Sequence, residues 1–499
     1  MKRQWWTIAV HIALIATAGS FLSSCNGGSS TPPPVPQIQN INSSTTATSP
    51  VGLPIEINGS GFQVAPGKVN FKQGSTSIDV VPAGSAWSDT GAVAAVPATL
   101  TAPGTVSVTV VTSGGTSNAV TLNLVGTITF NPSAMGWATT MALPKPMTGL
   151  RAVALPGTSS TSAFAIVTGG FDGTANTNTV WANNLNQDGT VGSTTNTTWT
   201  TITTNPLPTT LAHHAMAEAD DTNSLVAVGK RYIYVLGGQV SFTDAPGGTN
   251  TVYVASVDST AGTIGPWTAS TNALPKSLLG LSATVHNGFL YVAGGLDTNG
   301  TPVTGVYSAP VNTDGTIGTW TTATNTLPTA RAFGTMVVFG GILYYINGDP
   351  NASIPPNNQG VGDKDVLYAS AVRGAVGTWT LNGNLTIHDR AKGVLFTAYG
   401  QFIAAEGVYT GSVGSGEMES SSVNAQNTSN VALNSWTGLT GSLGQSPKAN
   451  VYNAAGFTSP LFAPTTNGPR FLILGGQALT GTTGPGGALS STVYVNNAP

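Results

Sequence analysis

The chain has 499 residues, of which 7% are charged, and a formal net charge of −3. With no basic cluster beyond the extreme N-terminus, it carries no electrostatic footprint for nucleic acid. Its length allows two or three domains, and its single cysteine excludes an internal disulfide, so packing alone must stabilise it.

Gly, Ser, Thr and Asn fill the polar positions that charged residues usually take, a composition that reads as strands joined by neutral turns. The first element is a targeting segment. Lys2 and Arg3 precede a mostly apolar stretch from Trp5 to Leu22, and Leu22-Ser23-Ser24-Cys25 follows. This run resembles the lipobox of bacterial lipoprotein signals, which implies loss of residues 1–24 and a diacylglycerol on the Cys25 thiol. An ordinary secretory signal or a short membrane anchor is the alternative. The sole cysteine stands where a lipobox requires one, which favours lipidation, and Asn26 behind it points to the outer membrane. Residues 25–36 form a tether, loose through Asn26-Gly27-Gly28-Ser29-Ser30-Thr31 and stiffer at Pro32-Pro33-Pro34.

Residues 37–125 are predicted to form a small all-β domain. Ile55-Glu56-Ile57 and Val106-Ser107-Val108-Thr109-Val110 alternate with period two. Gly59-Ser60-Gly61, Ala65-Pro66-Gly67 and Ala102-Pro103-Gly104 punctuate the turns. About seven short strands in this length suit an immunoglobulin-like sandwich. The run Pro54-Ile55-Glu56-Ile57-Asn58-Gly59-Ser60-Gly61-Phe62, then Val69-Asn70-Phe71, Trp87-Ser88-Asp89-Thr90, Val96-Pro97 and Ser117-Asn118 resemble the IPT/TIG family. In bacterial surface proteins that resemblance implies a spacer or accessory binding module with no catalytic set. Phe62 and Trp87 have the chemistry to stack on sugars, but packing within the sandwich is the favoured reading.

From residue 126 to 499 one unit recurs. Trp137, Trp199, Trp267, Trp320, Trp379 and Trp436 alternate with Gly169-Gly170, Gly237-Gly238, Gly294-Gly295, Asn347-Gly348, Glu406-Gly407 and Gly475-Gly476. A repeat of roughly 50–70 residues is the period range of propeller blades. A Leu-Pro step opens most units, as at Leu143-Pro144, Leu207-Pro208, Leu274-Pro275 and Leu327-Pro328, and blade five has Leu385-Thr386-Ile387 instead. The glycine pair, the third-strand tyrosine and the tryptophan, in that order, resemble the kelch repeat, which implies a six-bladed β-propeller. The aspartate box of sialidases is a competitor at Asp314-Gly315 and Trp320, but its spacing is off by one residue. The end of the chain, Thr492-Val493-Tyr494-Val495, matches a third strand, so the segment around Trp137 is predicted to supply the fourth and close the ring. The fold class expected is therefore all-β: an immunoglobulin-like sandwich, then a six-bladed kelch-type propeller.

Chemistry is harder to read. His213, His214, His286 and His388 lie in or near innermost-strand segments, and neighbouring residues of a strand face opposite ways, so no metal site is expected. Galactose oxidase chemistry on a kelch propeller needs a Cys–Tyr cross-link, which a lipidated Cys25 does not supply. Arg151, Arg331 and Arg390 recur before or at innermost strands and are candidates to hold a carboxylate or phosphate together. Bonding to neighbouring carbonyls is the plainer reading. Asp172, Asp297 and Asp349 follow the glycine pairs; they are candidate ligand residues, though turn formation explains them more simply.

No cofactor is expected. The reading that results is an envelope-anchored lipoprotein binding a glycan or surface protein. A carbohydrate-active enzyme, mutarotase-like or a lyase, is the alternative. Strand alternation places the binding face on the side of the Leu-Pro segments and the post-glycine loops, with long loops at 349–362 and 408–422. The sandwich is expected on the opposite face.

Overall fold

The computed structural model describes residues 32–41, 47–82, 86–125, 130–157, 162–192, 197–220, 226–227, 229–241, 247–352, 362–398, 400–408, 418–423, 432–439, 451–460, 469–478 and 487–497. The signal segment, Cys25 and most of both long loops lie outside these residues. Among the described residues no helix is long and apolar enough to cross a membrane. The fold is all-β.

The N-terminal module is a sandwich of two sheets. One joins Gln37–Ile41, Pro54–Ser60, Gly91–Ala95 and Trp87–Ser88; the other is built around Lys68–Gln73, Gly104–Thr112 and Val120–Val125. Strand side chains alternate between faces, and the first sheet uses both. Ile55, Ile57, Ala92 and Ala94 enter the sandwich core, while Val93 packs with propeller residues Ile342, Tyr344 and Val372. Phe62 and Trp87 belong to the sandwich core, with ring centroids 5.8 Å apart, and the Trp87 indole donates to Gln63 O at 2.9 Å. They pack the interior rather than face a sugar.

Six radial sheets follow. Their innermost strands are Arg151–Pro156, Ala215–Ala219, Ser282–His286, Thr335–Phe339, Val394–Ala398 and Ala455–Thr458, and each neighbours the next around a closed cycle. Each sheet then runs outward through second, third and fourth strands; blade 4 adds a short fifth strand. The second strands are mostly apolar and buried, as in Ala163–Thr168 and Ile342–Ile346, because a blade covers each of their faces. In blade 6 the innermost three strands come from the end of the chain. The outermost, Gly136–Thr140, comes from the front and pairs antiparallel with Val493–Asn497, Trp137 opposite Asn496.

The landmark residues have distinct tasks. The second glycine of each pair has φ between +93° and +107°, a region closed to residues with a Cβ, and its N–H donates to a carbonyl of the next blade. Gly170 bonds Leu211, Gly238 bonds Leu278, Gly295 bonds Arg331, Gly348 bonds Arg390, Gly407 bonds Val451 and Gly476 bonds Met147. The first position sits near φ +60°, where Asn347 fits and where Glu406 is held by accepting the Val451 N–H. Trp199, Trp267, Trp379 and Trp436 come immediately before two-residue fourth strands and are buried or half-buried; Trp320 does the same in blade 3. A further repeated residue joins them. Asn205, Asn272, Asn325 and Asn384 donate to a carbonyl of the following blade, at Ile264, Ile317, Val376 and Leu433.

The sandwich docks on one face of the propeller, over the turns between first and second strands of blades 3, 4 and 5. Glu56, fully buried, meets His286 Nε2 at 2.6 Å and accepts from Asn287 Nδ2 at 3.0 Å. The same Asn287 amide donates to Asn58 at 2.8 Å. At Gly341 an added Cβ would meet Val93 at 2.7 Å, so the turn has no side chain because the sandwich lies against it.

Candidate functional site

An axial cavity of about 380 Å³ is lined by the innermost strands of all six blades; its mouth on the face opposite the sandwich is bordered by Arg151, Phe333, Lys392 and Asn453, and its lining extends to Val285, Val338 and Thr458 at the other end. One residue per blade stands at this mouth just before its innermost strand: Gly149, His213, Gly280, Phe333, Lys392 and Asn453. All six have left-handed φ between +54° and +65°. Their backbones form a closed circuit of hydrogen bonds. His213 N donates to Gly149 O, Gly280 N to His213 O, Phe333 N to Gly280 O, Lys392 N to Phe333 O, Asn453 N to Lys392 O and Gly149 N to Asn453 O, at 2.8–2.9 Å. The left-handed turn points each N–H and C=O along the circumference, which satisfies both groups at the sheet's inner edge. Bulky residues rarely adopt this conformation, so Phe333 and Lys392 hold strained backbone there.

Side chains of this ring lean over one another. A Cβ on Gly149 would strike the His213 ring at 2.9 Å, and one on Gly280 the Phe333 ring at 2.6 Å. His213 and Phe333 meet edge to face with centroids 5.6 Å apart, and Lys392 Nζ lies 5.0 Å from the Phe333 centroid. Burial pushes the Lys392 ammonium down to about 8, with Asp349 drawing it partly back. Burial likewise pushes His213 down to about 3, with the positive fields of Arg151 and Lys392 adding to it, so that the ring is neutral at pH 7. His214, which exchanges a 2.8 Å hydrogen bond with Thr168 Oγ1, is lowered for the same first reason. His213 precedes its strand in a left-handed turn, so the simple alternation expected for a histidine pair in a strand does not apply to it.

The three arginines are not gathered into one site. Arg331 is fully buried and donates to Thr329 O, Asn347 O and Asp365 Oδ2, the last at 2.8 Å, with Asp363 at 3.3 Å. Arg390 is buried against Glu406 O at 2.6 Å and Glu419 Oε1 at 3.2 Å. Both stand two positions before the ring residue of their blade and tie the second-strand turn to the third strand. Arg151 stands two positions after its ring residue, on the cavity wall. The one hydrogen bond of its guanidinium among the described residues is to Leu150 O at 2.9 Å, and burial lowers that group to about 10, still charged at neutral pH. Lys392, which the sequence did not single out, shares the cavity wall with it.

The three aspartates stand in the loops after the glycine pairs and bond their own loops. Asp172 Oδ1 accepts from Thr174 N and Ala175 N, Asp297 Oδ1 from Asn299 N and Thr301 N, and Asp349 Oδ1 from Asn351 N. These backbone donors lower Asp172, whereas burial raises the Asp349 carboxyl. Asp349 also lies within electrostatic reach of Lys392 without a direct ion pair. Glu218 lines the cavity from blade 2. It stands three residue steps farther along its strand than Arg151 does, roughly 10 Å deeper at the usual rise of a strand. Among the described residues no group of three or more His, Cys, Asp or Glu side chains could hold a metal ion. No protein-family model and no curated protein matches the chain.

Proposed function

We propose that this chain is a lipid-anchored protein of the bacterial cell envelope that binds a glycan or a protein partner through the ring face of its propeller. The observation that carries the reading is the axial cavity, whose mouth lies on the face opposite the sandwich, with strained and charged side chains around it. A cavity of this size is within the usual range for small-ligand sites. Its wall offers the hydroxyls of Ser282, Thr284, Thr335 and Thr397 and the Asn453 amide, suited to a hydroxyl-rich ligand. In this reading the sandwich is an IPT/TIG module and the blades are kelch repeats. The Leu22-Ser23-Ser24-Cys25 run supports anchoring through Cys25.

A sandwich docked behind the propeller leaves the ring face directed away from the tether. Arrays of glycans and surface proteins probed with residues 37–499 test the proposal. Binding should be lost on deleting 352–360 or 411–420 while the melting temperature holds. Binding that survives both deletions but fails when the turns at Asp258 and Asp314 are altered would place the site on the other face. Mass spectrometry of the mature N-terminus should find lipid on Cys25 and residues 1–24 gone; an unmodified thiol would remove the anchor from the proposal.

A second reading, sugar chemistry of the mutarotase or lyase type, is favoured by one observation. Glu218 and Arg151 put an acid and a cation on the wall of the same cavity. General acid–base work needs groups of that kind within reach of one substrate. Turnover of a candidate sugar that disappears in Glu218→Gln but not in Asp349→Asn would favour it.

A further inference from the structure

The buried and half-buried cations on the ring-face side of this propeller fall into two classes. Arg331 and Arg390 are each paired with carboxylates, as the cost of burying a charge demands. Arg151 and Lys392 break that rule. Lys392 is 7% exposed, lines the cavity and, among the described residues, has no carboxylate within ion-pair distance; its ammonium rests on the face of Phe333. Arg151 also faces the cavity, and of its five N–H donors only one is used among the described residues. Both lie within electrostatic reach of His213, so one positive field covers the mouth.

We propose that Arg151 and Lys392 form an oxyanion site at the mouth of the axial cavity, which takes the carboxylate or phosphate group of a small hydroxylated ligand. The proposal rests on the reading that the ring face binds. Three features support it. An anion would supply the counter-charge that two desolvated cations lack, with the Arg151 fork available for a bidentate contact. The left-handed backbone at Phe333 and Lys392 is strain held beside the site, as it is at His213 and Asn453 around the rest of the ring. Glu218, deeper in the cavity, places a carboxyl group on its wall as an acceptor for the hydroxyls of such a ligand.

The charged or titratable groups around Lys392 come from several blades. They are Arg151 from blade 1, His213, His214 and Glu218 from blade 2, and Asp349 from blade 4. The cavity-facing segments of blades 3 and 6 contribute only neutral side chains such as Ser282 and Asn453. His213 is already neutral at pH 7, so Lys392 is the group whose charge changes just above it.

Calorimetric titration of the purified protein with glucuronate, inorganic phosphate and glucose tests this. At pH 7 at least one of the two anions should bind, and glucose should bind at least tenfold more weakly. Preference for glucuronate assigns the site to carboxylates and preference for phosphate to phosphoryl groups. Lys392→Met and Arg151→Gln should each weaken anion binding at least tenfold with melting temperatures near that of the parent. Lys392→Arg should retain binding. Affinity should fall as pH rises through 8 in the parent protein but not in Lys392→Arg. Neither anion binding, or anion binding unchanged in both neutral variants, overturns the oxyanion site. If array binding by the ring face persists in that case, only this inference fails and the assignment of the face stands.

Discussion

The two faces of the propeller treat charge in opposite ways. On the sandwich face, Glu56 is completely buried yet meets His286 and Asn287, and Asn287 in turn meets Asn58. On the ring face, Arg151 and Lys392 stand at a cavity wall with no carboxylate against them among the described residues. Glycines mark the difference too. Gly341 lacks a side chain because the sandwich presses on the turn, whereas Gly149 and Gly280 lack one because ring residues of the neighbouring blade lean over them. A face whose polar groups are matched within the chain is built for permanent contact. A face whose cavity-wall cations are unmatched among the described residues is, under the proposed function, the one open to a ligand.

Removing a matched cation should cost far more than removing an unmatched one. Arg390→Ala leaves the buried Glu419 without its cation and should cost about 3–5 kcal/mol in denaturant unfolding. A cost near zero would show that the buried pair does not hold the turn. Acid should act next most strongly, at the ring. His213 has an ordinary value near 6.5 when unfolded and about 3 when folded, so the unfolded chain binds the extra proton between those values. Stability should be complete above pH 6.5 and fall by roughly 3 kcal/mol by pH 4 from this residue alone. In Glu419, contacts to His388, Arg390 and the Ile387 N–H outweigh burial and hold the carboxyl below its ordinary value. Its contribution is therefore lost at still lower pH. Thermal melts of the parent and of His213→Asn between pH 7 and 4 check the first window; equal slopes would count against a neutral buried histidine.

On the sandwich face, Glu56→Ala removes the hydrogen-bonded carboxylate and should cost about 1–3 kcal/mol. Its clearest sign should be calorimetric: the sandwich melting apart from the propeller. A single unchanged transition would mean that the apolar contacts of Val93 and Leu53 hold the interface alone. The smallest effects belong to the unmatched cations. Arg151→Ala should shift stability by less than about 1 kcal/mol, and Lys392→Met should be neutral or stabilising by about the same amount, since it removes a desolvated charge with no directly paired counter-ion among the described residues. Destabilisation of either to the degree of Arg390→Ala would erase the distinction between the two classes.

Much of this architecture is legible in the sequence because the repeats carry residues that only one geometry accepts. The second glycine of each pair is invariant within the chain since its φ admits nothing else, and the first varies to Asn347 and Glu406 since its φ does not demand glycine. The site is much less legible. The shared dipeptide Arg-Ala makes Arg151-Ala152 look equivalent to Arg331-Ala332 and Arg390-Ala391. In space Arg151 lies four positions later in its blade than the other two, which moves it from a buried tie to the cavity wall. The six ring positions share no side-chain type, because what is selected there is a left-handed backbone, so no motif announces them. The cue that was present is the pair Arg331-Ala332-Phe333-Gly334 and Arg390-Ala391-Lys392-Gly393, which sets Lys392 level with Phe333. The clamp asparagines, two residues before the leucine of Asn205-Pro206-Leu207 and Asn272-Ala273-Leu274, were visible in the same way.

Hydrogen–deuterium exchange, with and without the ligand that gives the strongest array signal, tests which face works. Added protection should fall on peptides spanning residues 147–151, 331–335, 390–394 and 451–455, around the ring. Protection confined to residues 286–289, 340–342 and 400–402, at the turns beneath the sandwich, would contradict it.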